Sequence, residues 1–211
     1  MTDRALSPSA APSAALGPSA DPSADRLGSI VVVRHGETEW SAALKHTSRT
    51  DVPLTPEGRR RAASLAPALA GRSYSIVLCS PMRRARETCE LAGFEDPVID
   101  PNLREWDYGE YEGLTTPEIH ARRPEWNLWR DGCPGGESPA EVGLRADRVL
   151  ERLRAVGGDA LVFAHGHILR VLTARWLAMA PAAGARFALA AGSVGVLGHE
   201  RETEVIERWN A

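Results

Sequence analysis

Three short, mostly apolar runs are the feature that most limits the folds open to this chain. They read SIVVV at residues 29–33, SIVLC at residues 75–79 and ALVFA at residues 160–164. Runs of this length without alternating polar residues are typical of strands that are buried on both faces of a parallel sheet. The runs therefore predict three strands of such a sheet.

Helix-start signals lie between these runs. At four places a Ser or Thr precedes a Pro, so that a capping oxygen is followed by proline at the first helical position, where no N–H is lost. The four pairs are Thr55-Pro56, Ser80-Pro81, Thr116-Pro117 and Ser138-Pro139. Ser138 is followed three residues later by Glu141, which predicts a capping box. Strands that alternate with helices predict an α/β layered fold, and segment 192–209 predicts a closing pair of strands.

The first 27 residues differ in composition from the rest of the chain. They are mainly alanine, serine and proline with scattered charges, and they lack the continuous apolar segment of a signal peptide. Such a segment cannot bury enough apolar surface to order itself, so we expect residues 1–27 to form a disordered tail. Residues 28–211 suffice for one domain with a sizeable core.

Charge and cysteine content argue against several classes of protein. A formal net charge of −3 gives no reason to expect a nucleic-acid partner. No apolar run reaches the ~18 residues of a membrane span. Three cysteines without a CxxC spacing argue against a disulfide framework and favour a reducing compartment, so we expect a cytoplasmic protein. None of the cysteines has an arginine six residues later, which argues against a cysteine-dependent phosphatase.

Basic and imidazole side chains follow each of the three apolar runs. Arg34 and His35 follow the first run, Arg84 lies soon after the second, and His165 follows the third. In α/β folds ligands bind beyond the carboxyl ends of the strands, so we expect these side chains to meet at one edge of the sheet. A histidine metal site is the alternative at this edge. Carboxylates at metal-motif spacing are missing, so we expect no metal and no cofactor.

Five ordered motifs carry a resemblance to a known family. They are RHGETEW, TDVPLTPEGRRRA, CSPMRRARET, LREWDYGEYEGL and FAHGHILRVL, and they span residues 29–172. In this order they resemble the histidine phosphatase superfamily, which includes cofactor-dependent phosphoglycerate mutases and many phosphatases. The resemblance implies a three-layer α/β/α sandwich with a mostly parallel central sheet, and phosphoryl transfer through a phosphohistidine.

The resemblance also assigns roles to five side chains. His35 would be the nucleophile, and the neighbouring cations would help keep its imidazole neutral. Arg34 and Arg84 would bind phosphate oxygens. His165 would donate a hydrogen bond to the phosphate, in a protonated or nearly protonated state. Glu105 would protonate the leaving oxygen and later accept a proton from water.

Contacts with the rest of the substrate are predicted from the same alignment of motifs. Ser41 stands where the family usually has an asparagine that contacts phosphate. Counting from the nucleophile places Lys45, Thr47 and Ser48 at positions that contact phosphate or substrate in the family. His167 belongs to the HGH pattern, which resembles the broad acid phosphatases and the sedoheptulose-bisphosphatase group.

The spacing of the motifs favours a phosphatase over a mutase. Family mutases carry a long insertion between the acid motif and the second histidine motif, whereas Glu105 and His165 are only 60 residues apart here. The intervening segment, within about 106–157, is expected to include a small cap over the site. We expect Trp126 and Trp129 to pack this cap against the rest of the domain rather than to stack on a substrate. A mutase and a non-catalytic phospholigand-binding protein remain the alternatives. The sequence leaves open the physiological ester, the oligomeric state and whether cap arginines bind a second phosphate; these are Arg122, Arg123 and Arg130.

We expect the purified protein to release inorganic phosphate from small phosphorylated metabolites and to interconvert phosphoglycerates weakly or not at all. EDTA should leave this activity unchanged, whereas vanadate should inhibit it. A phosphate-release assay run beside a phosphoglycerate isomerisation assay measures both reactions. Efficient interconversion that is stimulated by the bisphosphate would identify a mutase instead.

Overall fold

The computed structural model describes residues 27–211. The predicted tail, residues 1–27, lies outside the described residues except for Leu27, which begins the first strand. No helix in this described range is long and apolar enough to cross a membrane.

One six-stranded sheet forms the centre of the fold. The strands are β1 (Leu27–Arg34), β2 (Ile76–Cys79), β3 (Val98–Ile99), β4 (Gly158–Ala164), β5 (Val194–Glu200) and β6 (Thr203–Arg208). Their spatial order is β3-β2-β4-β1-β5-β6. The first four run parallel, and β5 is antiparallel to both β1 and β6. The predicted parallel strands and the closing pair are confirmed. Strand β3 was not predicted because it has only two residues.

Eight α-helices and three 3₁₀ helices connect the strands within residues 27–211. The α-helices are α1 (Glu39–Ala42), α2 (Pro56–Ala63), α3 (Ala66–Leu69), α4 (Arg83–Leu91), α5 (Thr116–Arg122), α6 (Leu128–Asp131), α7 (Pro139–Val156) and α8 (Gly166–Trp176). The 3₁₀ helices are η1 (Pro101–Leu103), η2 (Gly109–Tyr111) and η3 (Pro181–Arg186). Thr55 and Ser138 cap α2 and α7 as predicted, and Glu141 completes the capping box. Helix α5 is capped by Thr115, one residue before the predicted Thr116.

The prediction that Ser80 caps a helix starting at Pro81 is wrong. Helix α4 begins at Arg83, after Met82 in an extended conformation, and no side chain caps it. The Ser80 side chain is fully buried and hydrogen-bonds the His165 ring instead, with 2.7 Å between Oγ and Nε2. The hydroxyl still accepts a long bond from the Met82 N–H at 3.4 Å, but its shorter contact is to a ring that follows β4.

Side chains on the central strands alternate between two buried layers. Ile30 and Val32 pack on one face of the sheet with apolar residues of α7 and α8. Val31 and Val33 pack on the other face with residues of α3 and α4. This arrangement confirms the three-layer α/β/α fold. Helix α7 belongs to the first of these layers, so the cap expected within about 106–157 would consist of the segments before it.

The parallel register brings the predicted functional residues to the same edge of the sheet. Arg34 at the end of β1 pairs with Ala164 of β4, and Cys79 of β2 pairs with Phe163 of β4. His35, Ser80 and His165 are the residues that follow these three strand ends. The predicted convergence at one edge is therefore confirmed.

Two glycines allow the loop after β1 to lie directly on α2. A Cβ on Gly58 would overlap the Glu37 carbonyl oxygen and lie 2.7 Å from its backbone nitrogen. A Cβ on Gly36 would in turn overlap the Gly58 carbonyl oxygen. The atoms that these Cβ groups would meet belong to the backbone of Glu37 and Gly58. They cannot move without shifting the segment that follows the first strand or the start of α2.

We predict that Gly58→Ala destabilises the protein. Alanine is favoured over glycine inside a helix by about 0.5–1 kcal/mol, but overpacking against backbone costs about 1–3 kcal/mol, so the net effect should be a loss. Gly71→Ala is the matched control, since a Cβ there would meet no atom within 4 Å. Urea unfolding of the two variants measures the difference. Equal midpoints for Gly58→Ala and wild type would show that the close contact can relax without cost.

Candidate active site

His35 is held in one tautomer by its own loop. Its Nδ1 lies 2.7 Å from the Gly36 carbonyl oxygen. A carbonyl can only accept, so Nδ1 carries the proton and Nε2 keeps a free lone pair. Burial, together with the charges of Arg84 and Arg34, holds the pKa of His35 well below 6.5. The expected neutral imidazole is thus supported, and burial is the largest cause.

Arg34 lies against the first turn of α8. Its Nη1 donates to the Leu189 carbonyl oxygen at 2.5 Å. Its Nε is buried and has no hydrogen-bond partner among the described residues. A Cβ on Gly166 would lie 3.3 Å from the guanidinium carbon, so glycine at this position makes room for the arginine. The unpaired Nε is a donor available to an anion.

Arg84 is fully buried and binds both protein backbone and the second histidine. Its Nε donates to His165 Nδ1 at 3.1 Å. Its terminal nitrogens donate to the carbonyl oxygens of Thr47, Ser48 and Thr50 at 3.0–3.2 Å. Arg84 therefore fixes the loop at residues 47–50 and the orientation of His165.

The expectation that His165 is protonated or nearly so is wrong for this arrangement. Complete burial, followed by the charge of Arg84, lowers the pKa of His165 well below 6.5. Because Nδ1 accepts from Arg84, the proton of the neutral ring lies on Nε2, which donates to Ser80 Oγ. The His165 and His35 ring centroids are 5.1 Å apart.

Glu105 binds the N-terminus of α8 through its carboxylate. Oε2 accepts from the His167 backbone N–H at 3.0 Å, and Oε1 accepts from the Ile168 and Trp106 N–H groups at 2.9 Å. Backbone N–H groups at a helix start favour a negatively charged partner at this place. The carboxyl group is buried, and it lies beside the same helix turn that contacts Arg34.

A cavity of about 440 Å³ opens beside this cluster, and its lining includes Arg34, His35 and Glu105 but not the fully buried Arg84 and His165. The predicted substrate-binding residues Ser41, Lys45, Thr47 and His167 also line it. The Ser41 hydroxyl accepts from the Thr38 backbone N–H at 2.9 Å, which makes it part of the capping box of α1, and it donates to the Thr38 carbonyl oxygen.

Ser48 does not share this cavity. Its hydroxyl is buried and donates to the Glu105 carbonyl oxygen at 3.4 Å. Its backbone N–H donates to the Glu112 carboxylate, which also accepts from Thr50 N–H. The Glu112 carboxylate therefore binds backbone, and Ser48 belongs to the loop that Glu112 holds.

Several lining residues were not predicted from the sequence. Those with an ionisable side chain are His46, Tyr108, His120 and Arg170. Burial raises the pKa of Tyr108 well above 10, and its hydroxyl is 2.6 Å from His167 Nδ1. The Arg170 guanidinium lies 4.6 Å from the centre of the Trp129 ring. Arg170 lies one helical turn after His167, which is a signal that could have identified it.

The structure gives the positions of the three cap arginines whose role the sequence leaves open. Arg122, Arg123 and Arg130 are exposed and do not line the cavity, and Arg130 pairs with Asp131. Trp126 is buried in the core and Trp129 packs against it, which agrees with the predicted packing role, but both also line the cavity. Arg170 and Lys45, rather than the cap arginines, supply positive charge to this wall.

Comparison with known proteins identifies the family. Residues 30–211 match the histidine phosphatase superfamily, branch 1. The chain belongs to this superfamily. An acid phosphatase of Mycobacterium tuberculosis is 44% identical over 178 residues, which cover 81% of this chain and 86% of the relative. Sedoheptulose 1,7-bisphosphatase of Saccharomyces cerevisiae is 36% identical, covering 71% of this chain and 67% of the relative.

Solved structures of histidine phosphatases share the same fold. The product of a Mycobacterium tuberculosis open reading frame superposes with a TM-score of 0.82 at 40% identity, over 88% of this chain and 98% of that chain.

A 2,3-bisphosphoglycerate-dependent phosphoglycerate mutase of Gloeobacter violaceus is also related, at 34% identity over 68% of this chain and 73% of the mutase. The relatives of this chain thus include proteins named as phosphatases and proteins named as mutases.

Three neutral histidines predict a loss of stability in acid. His35 and His165 are buried and the His167 side chain is 24% exposed, and desolvation is the first cause that lowers the pKa of each well below 6.5. As the pH falls below about 6.5, the unfolded chain takes up protons that the folded protein does not. Each such histidine should lower the free energy of unfolding by about 1.4 kcal/mol per pH unit until its folded-state pKa is reached.

Urea unfolding at several pH values between 6.5 and 5 measures this slope. His167→Gln removes one of the three groups, so its slope should be smaller by about one proton. A free energy of unfolding that does not change over this interval would contradict the assignment of neutral histidines.

Proposed function

We propose that this histidine phosphatase is a phosphomonoesterase of the acid phosphatase type, which hydrolyses small phosphorylated metabolites through a phosphohistidine on His35. The observation that carries the proposal is the hydrogen bond from His35 Nδ1 to the Gly36 carbonyl oxygen. It leaves the Nε2 lone pair available in a cavity that also contains Arg34 and Glu105. Neutral imidazole is a suitable nucleophile toward phosphorus.

In the first half-reaction His35 Nε2 attacks the phosphorus atom while the bond to the leaving oxygen breaks. The proton of Glu105 passes to that oxygen, and the alcohol departs. Positive charge from Arg34 and Arg84 stabilises the equatorial oxygens, which is the main task of a protein in phosphoryl transfer. The free Nε of Arg34 supports a direct contact of that residue with phosphate.

In the second half-reaction water attacks the phosphohistidine and transfers a proton to Glu105. Inorganic phosphate leaves, and His35 returns to its neutral form. We assign Arg84 and His165 to the inner wall of the phosphate site, where the hydrogen bond from Arg84 orients the second imidazole. Ser80 completes this wall through its bond to His165.

The rest of the cavity is suited to the alcohol part of a small metabolite. Its volume of about 440 Å³ lies in the range of small-molecule sites. Ser41, Lys45, Thr47 and His167 form the proposed substrate-binding wall, together with Arg170. We propose that Ser48 acts by holding its loop, since its hydroxyl binds the Glu105 backbone.

Two further aspects of function belong to the same proposal. Cys79, Cys89 and Cys133 are free thiols, which supports a cytoplasmic location. The net charge of −3 supports a small phosphorylated molecule rather than a nucleic acid as partner.

Phosphoglycerate mutase activity is the second candidate, because a relative of that name is 34% identical. The short separation of Glu105 and His165 favours the phosphatase.

His35→Ala should abolish turnover, because the neutral His165 ring has both nitrogens engaged and cannot replace it. Wild-type protein quenched during turnover of a ³²P-labelled ester should carry a phosphate that is acid-labile and base-stable. Peptide mapping should place it on His35. Label on a serine or cysteine, or a product burst without label, would exclude this mechanism.

Glu105→Gln should slow an alkyl phosphate much more than p-nitrophenyl phosphate. General acid catalysis contributes on the order of 10²–10⁴-fold for a poor leaving group, whereas p-nitrophenolate leaves with little help. Rapid-quench measurement of phosphoenzyme formation isolates the relevant step. An equal loss for both esters would assign the acid to another residue, and Asp107 and Glu110 would then be tested.

A further inference from the structure

Arg145 binds the backbone that carries Glu105. It projects from α7, and its side chain is only 12% exposed. Nη1 donates to the Asn102 and Arg104 carbonyl oxygens at 2.6 and 2.8 Å, and Nη2 donates to the Glu105 carbonyl oxygen at 3.3 Å. Nε and Nη2 also donate to the Glu137 carboxylate at 2.6 and 2.7 Å. All five N–H groups of the guanidinium are thus engaged.

Glu137 extends this contact to the residues after Glu105. Its Oε2 accepts from the Asp107 N–H at 2.9 Å, and its own N–H donates to the Asp107 carbonyl oxygen at 2.9 Å. Its carbonyl oxygen accepts from the Trp106 indole N–H at 2.9 Å. The Arg145–Glu137 pair therefore binds every residue from Arg104 to Asp107.

The Glu105 carboxylate lies between this pair and the start of α8. Its position depends on the backbone held by Arg145 and on the N–H groups of His167 and Ile168. A shift of that backbone would move the carboxylate relative to the leaving oxygen. Misplacement of a reacting group by about 1 Å can cost on the order of 100-fold in rate.

We propose that Arg145 and Glu137 are positioning residues for the proton-transfer step, acting through the backbone of Glu105. The inference rests on the proposed function, in which Glu105 is the acid. An exposed ion pair contributes little to stability. The Arg145–Glu137 pair differs, because both side chains are mostly buried and both bind the same short segment. A lysine could keep the positive charge but could not span these acceptors.

The test compares Arg145→Lys and Glu137→Gln with the control Arg175→Lys. Arg175 forms a similar two-point pair with Asp147 and donates to the Met179 carbonyl oxygen, but it binds no residue of the Glu105 segment. Rapid-quench rates of phosphoenzyme formation are measured with an alkyl phosphate and with p-nitrophenyl phosphate. Arg145→Lys should slow the alkyl ester about 10- to 100-fold and the nitrophenyl ester much less. Glu137→Gln should show the same selectivity, and Arg175→Lys should show none.

The double variant Arg145→Lys/Glu105→Gln distinguishes positioning from general loss of structure. If Arg145 acts through Glu105, the double variant should be no slower than Glu105→Gln alone. Additive losses, or equal losses for both esters in Arg145→Lys and Glu137→Gln, would overturn the positioning role while the role of Glu105 stands. If Glu105→Gln itself lacked leaving-group selectivity, the proposed acid would fail and the positioning role with it. Urea unfolding of each variant confirms that folded protein is compared.

Discussion

The burial of Arg84 is the constraint on which the arrangement of the site depends. A cation removed from water is costly unless its hydrogen-bond donors are satisfied. Here the acceptors are three carbonyl oxygens of the loop at 47–50 and one nitrogen of His165. The loop can present those carbonyls because the Glu112 carboxylate binds two of its N–H groups from the other side. Burial lowers the pKa of Arg84, and the nearby carboxylates of Glu105 and Asp51 oppose that shift.

Burial and the neighbouring arginine charges together keep the imidazoles neutral. His35 and His165 are buried beside Arg84 and Arg34, so both rings remain neutral. A neutral ring needs one donor and one acceptor contact, and each ring has a backbone carbonyl or an arginine that selects its tautomer. The positive charge of the site is therefore carried by arginine, while the imidazoles provide directed lone pairs and N–H groups. This division of labour suits phosphoryl transfer, in which charge stabilisation and nucleophilic attack are separate tasks.

Much of this arrangement could be predicted from the sequence, for a physical reason. Apolar runs reveal parallel strands, and the carboxyl ends of parallel strands meet at one edge, so the meeting of Arg34, His35 and His165 follows from the pattern. The start of α4 could not be predicted, because Ser80 has a partner 85 residues away that competes with local capping. The protonation of His165 likewise depends on burial and on the direction of a single N–H from Arg84.

Contacts that depend on loop conformation were the least predictable part of the site. Ser48 was assigned to substrate by counting along the chain, but the Glu112 carboxylate fixes its N–H and its hydroxyl binds the Glu105 backbone. Arg170 was not predicted, because its orientation depends on the Gly184 carbonyl oxygen and the Trp129 ring, which are distant in the sequence. No sequence motif predicts the Arg145–Glu137 pair, because Arg145 binds backbone carbonyl oxygens, which every residue type has.

Helix α8 joins Glu105 to the wall of the cavity. Its first turn supplies the N–H groups that bind Glu105, and one turn later Arg170 reaches the cavity wall. Arg170 is in turn fixed by the carbonyl oxygens of Gly184 and Ala185 in η3. A change in this helix would disturb Glu105 and the cavity wall together. Lys45 instead lies on a separate segment, where it pairs with Thr115. In the proposed reaction α8 thus fixes the acid, while the segment that carries Lys45 belongs to the part of the cavity that receives the rest of the ester.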